Sequence, residues 1–307
     1  MPSVHIMEHP LVSIVMPVFN GERFLREALD SLLTQTFSDF ELLIGDNAST
    51  DATAAICLEY ASKDSRIIYH RHTENLGAFR NAEWLYREAK GEFVMLVGDD
   101  DVYESDCLAR YVERIRDQKD VVLVYSDYGW VDVEGRRSGS GLKDFMVAED
   151  GIEKNLHRYI RNAIVLPLMM GLCRTTVVQK ALPFPTFGKQ YKDFIGGRDI
   201  GFMWNILPKG RVDSVRASLF YYRNKNRDYV IPTSWGPSSL FAKLRIIHVN
   251  WIILTQHALP AIWASELSIF PKVRLSTWAG LIFVAQYTLI PLVQNFRRRF
   301  LTKARGD

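Results

Sequence analysis

Phe93-Val94-Met95-Leu96-Val97-Gly98-Asp99-Asp100-Asp101 carries an apolar run straight into three adjacent carboxylates. A short apolar run bounded by glycine and polar residues reads as a buried strand. Ending it in clustered negative charge is unfavourable unless something positive or polar binds there. In an open α/β sheet that occupant gathers beyond the carboxyl ends of the strands, often with a cation held by carboxylates. The plain alternative is a solvated acidic turn, and the triplet alone does not choose.

The flanking sequence does. Leu11–Val18 is apolar and leads into the turn Pro17-Val18-Phe19-Asn20-Gly21. Within residues 22–34, Phe24, Leu25, Ala28, Leu29 and Leu32 recur at helical spacing. Phe40–Ile44 is the next apolar run, and Ser49-Thr50-Asp51 is expected to cap a helix reaching about Ser62. Ile67–Tyr69 reads as a short strand. Asn75-Leu76-Gly77 turns into a helix over 78–90, which Gly91 breaks. Repeated strand–turn–helix units of this length predict an α/β fold, a mostly parallel sheet flanked by helices. On that topology Asn20, Asp46, Asn75 and Asp99 stand at loop tips along one rim.

Beyond Asp106 the pattern predicts a helix to about Arg116, a strand over Val121–Tyr128 and a polar loop over Val133–Leu142. Gly196-Gly197-Arg198-Asp199 then precedes Ile200, Phe202, Met203 and Trp204, the start of a packed helix with Asp199 as its N-cap. From Ile246 the character shifts. Ile246–Ser265 and Leu275–Phe296 contain no Asp, Glu, Lys or Arg.

Composition is that of a globular chain: 307 residues, 48% hydrophobic and 24% charged, with ample core material. A net charge of +3 is too small to imply a nucleic-acid partner. Cys57, Cys107 and Cys173 lie far apart, which argues for a reducing compartment without a disulfide framework. The first ten residues lack the apolar core of a cleaved export signal, so a cytoplasmic location is expected.

Residues 275–296 would span about 33 Å as a helix, yet they include Ser276, Thr277, Gln286, Thr288, Pro291, Gln294 and Asn295. Lys272 and Arg274 precede them. Arg297, Arg298, Arg299, Lys303 and Arg305 follow. Basic residues at both ends suit a helix lying on an anionic leaflet better than one crossing it. Residues 236–307 therefore read as a C-terminal helical appendage, with peripheral contact through 246–305 at the cytoplasmic face of a membrane. Two packed core helices with a solvated basic tail are the alternative.

Val12-Ser13-Ile14-Val15-Met16-Pro17-Val18-Phe19-Asn20, Gly45-Asp46-Asn47-Ala48-Ser49-Thr50-Asp51, Asn75-Leu76-Gly77 and Asp99-Asp100-Asp101, in this order and spacing, resemble the inverting glycosyltransferases of family 2. The resemblance covers roughly residues 11 to 225. It implies the GT-A fold over 1–235, with a nucleotide-binding half at 11–130 and an acceptor half at 131–235. It also implies a nucleotide-sugar donor (in the first place a UDP-sugar), Mg²⁺ or Mn²⁺, and a saccharide or lipid-linked hydroxyl acceptor. The product would belong to cell-surface polysaccharide or a related glycoconjugate.

Carried over residue by residue, the resemblance makes Asp46 the base-reading aspartate, with Pro17 and Asn20 lining the same pocket and Arg80 at the nucleotide. Asp99 and Asp100 join the donor site. Asp99 faces the ribose and, with Asp101, marks the metal position. Asp199 matches the general base that takes the acceptor's proton, the role an inverting displacement requires. Three departures stand out: Asn47 where a second acidic residue is common, Arg198 where one often precedes the base, and no histidine after Tyr221-Tyr222-Arg223. Either the metal then has fewer protein ligands, or Arg223 and Lys225 take over some neutralisation of the diphosphate.

Two other readings keep the sheet. One is a non-catalytic nucleotide-sugar-fold partner at the membrane. The other is a nucleotidyltransferase, disfavoured because the turn after the first strand lacks a Gly- and Lys/Arg-rich triphosphate loop. His70 and His72 have no third ligand in spacing and read as surface residues. Trp235, between Pro232 and Pro237, is a candidate acceptor lid.

Overall fold

The computed structural model describes residues 9–139, 151–162, 166–186, 195–224, 253–265 and 267–284. Trp235, Lys225, Leu142, residues 246–252, residues 285–296 and the basic tail lie outside the described residues, as does the 235/236 boundary.

The first half is built as its periodicity demands. Strands β1 (Val12–Val18), β2 (Phe40–Asp46), β3 (Ile67–Arg71) and β4 (Phe93–Leu96) alternate with helices α1 (Leu25–Leu33), α2 (Thr53–Lys63) and α3 (Ala78–Glu88). β1 is apolar almost throughout, and β2 is buried along its whole length despite Glu41 and Asp46, because both strands are covered on both faces. Helix α1 buries Leu25, Ala28, Leu29 and Leu32, one face of a 3.6-residue period. The residues expected to cap α2 act in part: Asp51 Oδ1 accepts the Thr53 N–H at 3.0 Å, while Ala52 occupies the cap position.

Next come β5 (Val102–Tyr103), α4 (Cys107–Ile115), β6 (Val121–Val131) and β7 (Arg137–Ser138). They are followed by α5 (Ile152–Asn162), α6 (Leu166–Met169), β8 (Leu172–Arg174), α7 (Thr175–Ala181), α8 (Ile195–Ile206) and β9 (Arg211–Arg223). One sheet runs β3-β2-β1-β4-β8-β6-β9-β5, with β7 paired to β6. Strands β1 to β4 are mutually parallel, and β6 runs parallel to β9. Strand β8 is antiparallel to both β4 and β6, and β5 is antiparallel to β9.

Three details depart from expectation. β6 extends to Val131, and the polar loop after it folds back as β7, pairing Trp130 with Ser138. The segment ending at Tyr222, patternless in sequence, contains the long strand β9. Asp199 is the fifth residue of α8, so it is not an N-cap; the Gly-Gly-Arg before it is already helical.

Two apolar clusters cover the sheet. One packs α1, α2 and α4 onto it, with Leu25, Leu29, Ile56, Leu108 and Tyr111. The other gathers α3, α5, α7 and α8 with the C-terminal helices Leu259–Ala264 and Ile269–Val284, through Leu85, Tyr159, Phe202, Ile262 and Leu275. Cys57, Cys107 and Cys173 are free and buried, and burial pushes the Cys57 thiol up to about 12.

Candidate functional site

In parallel strands the register decides which loop tips meet, and here Val18 of β1 pairs with Asp46 of β2, and Asp46 with Arg71 of β3. The loops leaving these strands are tied to one another. Asn20, at φ 53°, donates its N–H to Ser49 Oγ at 2.9 Å and accepts the Thr50 N–H on Oδ1 at 2.9 Å. Asparagine tolerates this left-handed conformation better than most residues. Gly21 N–H donates to Thr53 Oγ1, and Glu22 Oε2 accepts the Ala52 N–H at 2.8 Å. Asn47 N–H donates to the Val18 carbonyl. The Asn47 amide oxygen accepts the Leu76 N–H, and its NH₂ donates to Asn75 Oδ1.

Asp99 joins the same rim. A Cβ on Gly21 would sit 2.4 Å from Asp99 Oδ2, so the β1 loop passes directly against the acidic tip. A Cβ on Gly98 would likewise sit 2.6 Å from Asp101 Oδ2 and 3.1 Å from Asp100 Oδ1. Asn20, Asp46, Asn75 and Asp99 thus meet along one edge, and Pro17 pairs with Gly45 just inside it. Arg80 stands exposed on the first turn of α3.

Asp46 is fully buried, and both its oxygens have partners within the chain. Oδ1 accepts the Ser49 N–H and Oδ2 the Tyr69 hydroxyl, each at 2.8 Å, with Arg71 Nε 3.5 Å from Oδ2. Burial, then the bond to Asp46, holds the Tyr69 hydroxyl well above its ordinary range.

The acidic tip is fastened from the far end of β9. Arg223 N–H donates to Asp101 Oδ1 at 2.9 Å. Its buried guanidinium donates to the Asp100 carbonyl at 2.6 Å, the Asp132 carbonyl at 2.6 Å and Glu27 Oε2 at 2.5 Å, and lies over the Phe24 ring at 4.4 Å. The chain therefore commits Arg223 to holding the carboxylates in place, where sequence had suggested contact with a diphosphate. Only its position at the end of a Tyr-Tyr-Arg strand hinted at this.

Asp199 lies on the side of the sheet that carries α3, α5 and α8; burial raises the Tyr86 and Tyr159 hydroxyls, and the nearby Asp199 adds a smaller push in the same direction. It keeps partial exposure, yet desolvation alone pushes its carboxyl up to about 7 from the ordinary 3.8. The neighbouring Arg198 guanidinium does not offset this; it sits over the Phe79 ring at 4.9 Å.

His70 stacks on Trp84 at 4.3 Å, and His72 Nε2 lies 3.0 Å from Asn81 Oδ1. Since Asn81 Nδ2 donates to the Gly45 carbonyl at 2.6 Å, His72 carries its proton on Nε2. Asn81 was invisible as a site-forming residue in the sequence. Its signal was Gly45, where a Cβ would come 2.4 Å from Asn81 Oδ1. Among the described residues no group of three or more His, Cys, Asp or Glu is arranged to hold a metal.

Residues 13–172 match the family model described as glycosyl transferase family 2. The chain belongs to that family. Curated relatives include EpsH of Bacillus subtilis, named as a glycosyltransferase, at 36% identity over 38% of this chain and 34% of EpsH. Glycosyltransferase GlyA of Streptococcus pneumoniae is 32% identical over 40% of this chain and 18% of GlyA. A glycosyltransferase of Methanocaldococcus jannaschii, MJ1057, is 27% identical over 72% of this chain and 73% of its own length. The chain thus spans well under two thirds of EpsH and GlyA. Among solved structures, S. aureus TarS 1–349 in complex with UDP-GlcNAc superposes with a TM-score of 0.63 at 19% identity, over 89% of this chain and 72% of that 1–349 chain. The Pyrobaculum calidifontis mannosyltransferase PcManGT, solved with GDP-Man and Mn²⁺, gives 0.52 at 17%, over 92% of this chain and 83% of its own. The family 2 glycosyltransferase has the GT-A fold.

Proposed function

We propose that this chain transfers a sugar, with inversion, from a nucleoside-diphosphate donor (a UDP-sugar first) to a hydroxyl of a saccharide or lipid-linked acceptor in cell-surface polysaccharide or glycoconjugate synthesis. The observation that carries the reading is the stitching of the loops after β1, β2 and β3 to one another and against the acidic tip after β4. TarS was solved with UDP-GlcNAc and PcManGT with GDP-Man, which supports a donor of this class.

Pro17 and Asn20 are assigned to the nucleobase end and Arg80 to the nucleotide, with Asp99 and Asp100 beyond; Asp46 is assigned to the same end, where its buried carboxylate shapes the pocket through Ser49 and Tyr69 instead of touching the base. Asp101 and Asp99 are the carboxylates that would hold Mg²⁺ or Mn²⁺. Such ions take one or two protein carboxylates and complete their shell with phosphate oxygens and water, so a donor set without a closed protein cage fits. The bound ion would neutralise charge gathering on the departing diphosphate. Arg223 keeps the acidic tip in one geometry, so little reorganisation is needed when the donor arrives. Asp199 is assigned as general base: a carboxyl near neutrality accepts a hydroxyl proton far better than an ordinary one.

Thermal-shift measurements against UDP-, GDP-, dTDP- and CDP-sugars, with and without Mn²⁺, test the reading through ligand stabilisation. UDP-sugars are expected to raise the melting temperature most, and more with Mn²⁺. Asp101→Asn should lose the Mn²⁺-dependent increment, while Asp199→Asn keeps it and loses turnover. Absence of stabilisation by every nucleotide sugar would refute the proposal.

A further inference from the structure

We propose that the corner between helices Leu259–Ala264 and Ile269–Val284 is a docking surface for an anionic lipid bilayer. Among the described residues, large exposed apolar side chains occur at Phe19, Leu58 and Ile68, far apart in sequence, and four times within eleven residues at Trp263, Ile269, Phe270 and Val273. Phe270 is 83% exposed, the highest value of the set. Ile269, Phe270 and Val273 are spaced to share one helix face, and Thr277 extends it. The opposite face, with Leu275 and Ala279, is buried in the core. The helix is therefore seated on the protein and still presents a second apolar face outward. A clustered exposed apolar patch of this kind marks an interaction surface, unlike scattered single residues.

Charge decides the occupant. Lys272 and Arg274 lie on the same turn as the patch, and Arg274 also pairs with Glu153. Residues 253–284 contain a single acidic residue, Glu266, and the sequence beyond carries Arg297, Arg298, Arg299, Lys303 and Arg305. Apolar side chains bordered by basic ones, with a tryptophan among them, match an anionic bilayer surface. A second copy would bring like charges together. No described helix is long and apolar enough to cross a membrane.

The two helices also belong to the packed layer that carries α8. The segment Ile253–Ala258 packs on α8: a Cβ at Gly201, two residues past Asp199, would lie 3.4 Å from His257 Cδ2. A bilayer under this corner stands beside the layer that carries Asp199.

The test is sedimentation of the full chain, without nucleotide, with extruded vesicles of phosphatidylcholine alone or mixed with phosphatidylglycerol. Binding is expected to the mixed vesicles, weakening with salt, and to be slight with phosphatidylcholine alone. Ile269→Ser with Phe270→Ser should lower the bound fraction about tenfold. Phe270→Ser alone, at a position too exposed to upset the fold, should lower it in the same direction, and Leu58→Ser should bind as wild type. The proposal is overturned if wild type ignores the mixed vesicles, or if the double variant binds them equally well. It is overturned too if sedimentation velocity reveals self-association that the double variant abolishes. Nucleotide-sugar stabilisation is read separately, so failure here leaves the sugar-transfer reading intact, and the reverse.

Discussion

At Asp199 the protein removes water from a carboxylate, and no cation among the described residues compensates. The ionised form is disfavoured, and the carboxyl titrates at about 7 instead of 3.8. Two consequences have opposite readouts. As the proposed base Asp199 would work only when ionised, so log(kcat/KM) is expected to rise with unit slope below about pH 7 and to level off above it. For stability, the folded state binds this proton more tightly than the unfolded chain does. The contribution is therefore fully present below pH 3.8 and is lost as pH rises through about 7. Asp199→Asn should gain stability relative to wild type across that window in urea titrations. A pH-independent difference between the two would sink the shift.

Arg223 shows the reverse arrangement, a buried cation surrounded by acceptors. Arg223→Met removes donors from the Asp100 and Asp132 carbonyls while Glu27, half exposed, rehydrates. Destabilisation on the order of 3 kcal/mol is expected by chemical denaturation. Because the same side chain holds the acidic tip, the Mn²⁺ concentration for half-maximal activity should rise. Arg223→Lys should recover part of the stability and little of the metal response, since a point charge cannot serve three acceptors in a fork.

Among the elements, the loops after β1 and β2 behave as one unit, and glycine at position 21 is what lets the acidic tip approach. Gly21→Ala places a methyl 2.4 Å from Asp99 Oδ2 and 2.8 Å from Val18 Cγ2. We expect a fold that survives with donor affinity down about tenfold or more, measured by calorimetry with a UDP-sugar. The opposite end of the sheet has its own buried polar knot. Ser13 Oγ donates to Glu41 Oε1 at 2.6 Å and accepts the Lys90 and Gly91 N–H groups. Ser13→Ala should cost about 1–2 kcal/mol of stability with donor affinity unchanged, because it lies at the amino ends of the strands, away from the rim.

Which elements were legible follows from pattern length. Strands β1, β2 and β4 and helices α1 to α4 carry enough periodic residues to be read directly. β5 and β8 have two and three residues, too few for any period. β9 is long, but its pairing with β6 slips in register near Ser126 and Asp127. A bulge breaks the two-residue alternation on which strand recognition rests. Likeness singles out Asp199 as a candidate, yet its position inside a helix is not legible because Gly-Gly normally argues against a helix interior.

In the molecule as a whole, the order of motifs along the chain already implied an α/β sheet, a rim of polar loop tips and a cluster of carboxylates after β4. Those conclusions follow from local chemistry, since apolar period, turn residues and charge are written position by position. The partner of each polar group is not written there. That Arg223 fastens the acidic tip, that Asp46 is turned inward to Ser49 and Tyr69, and that Asp199 is desolvated depend on residues distant in sequence. Burial and hydrogen bonding are properties of the packed chain, because water leaves a group only when other parts of the protein take its place.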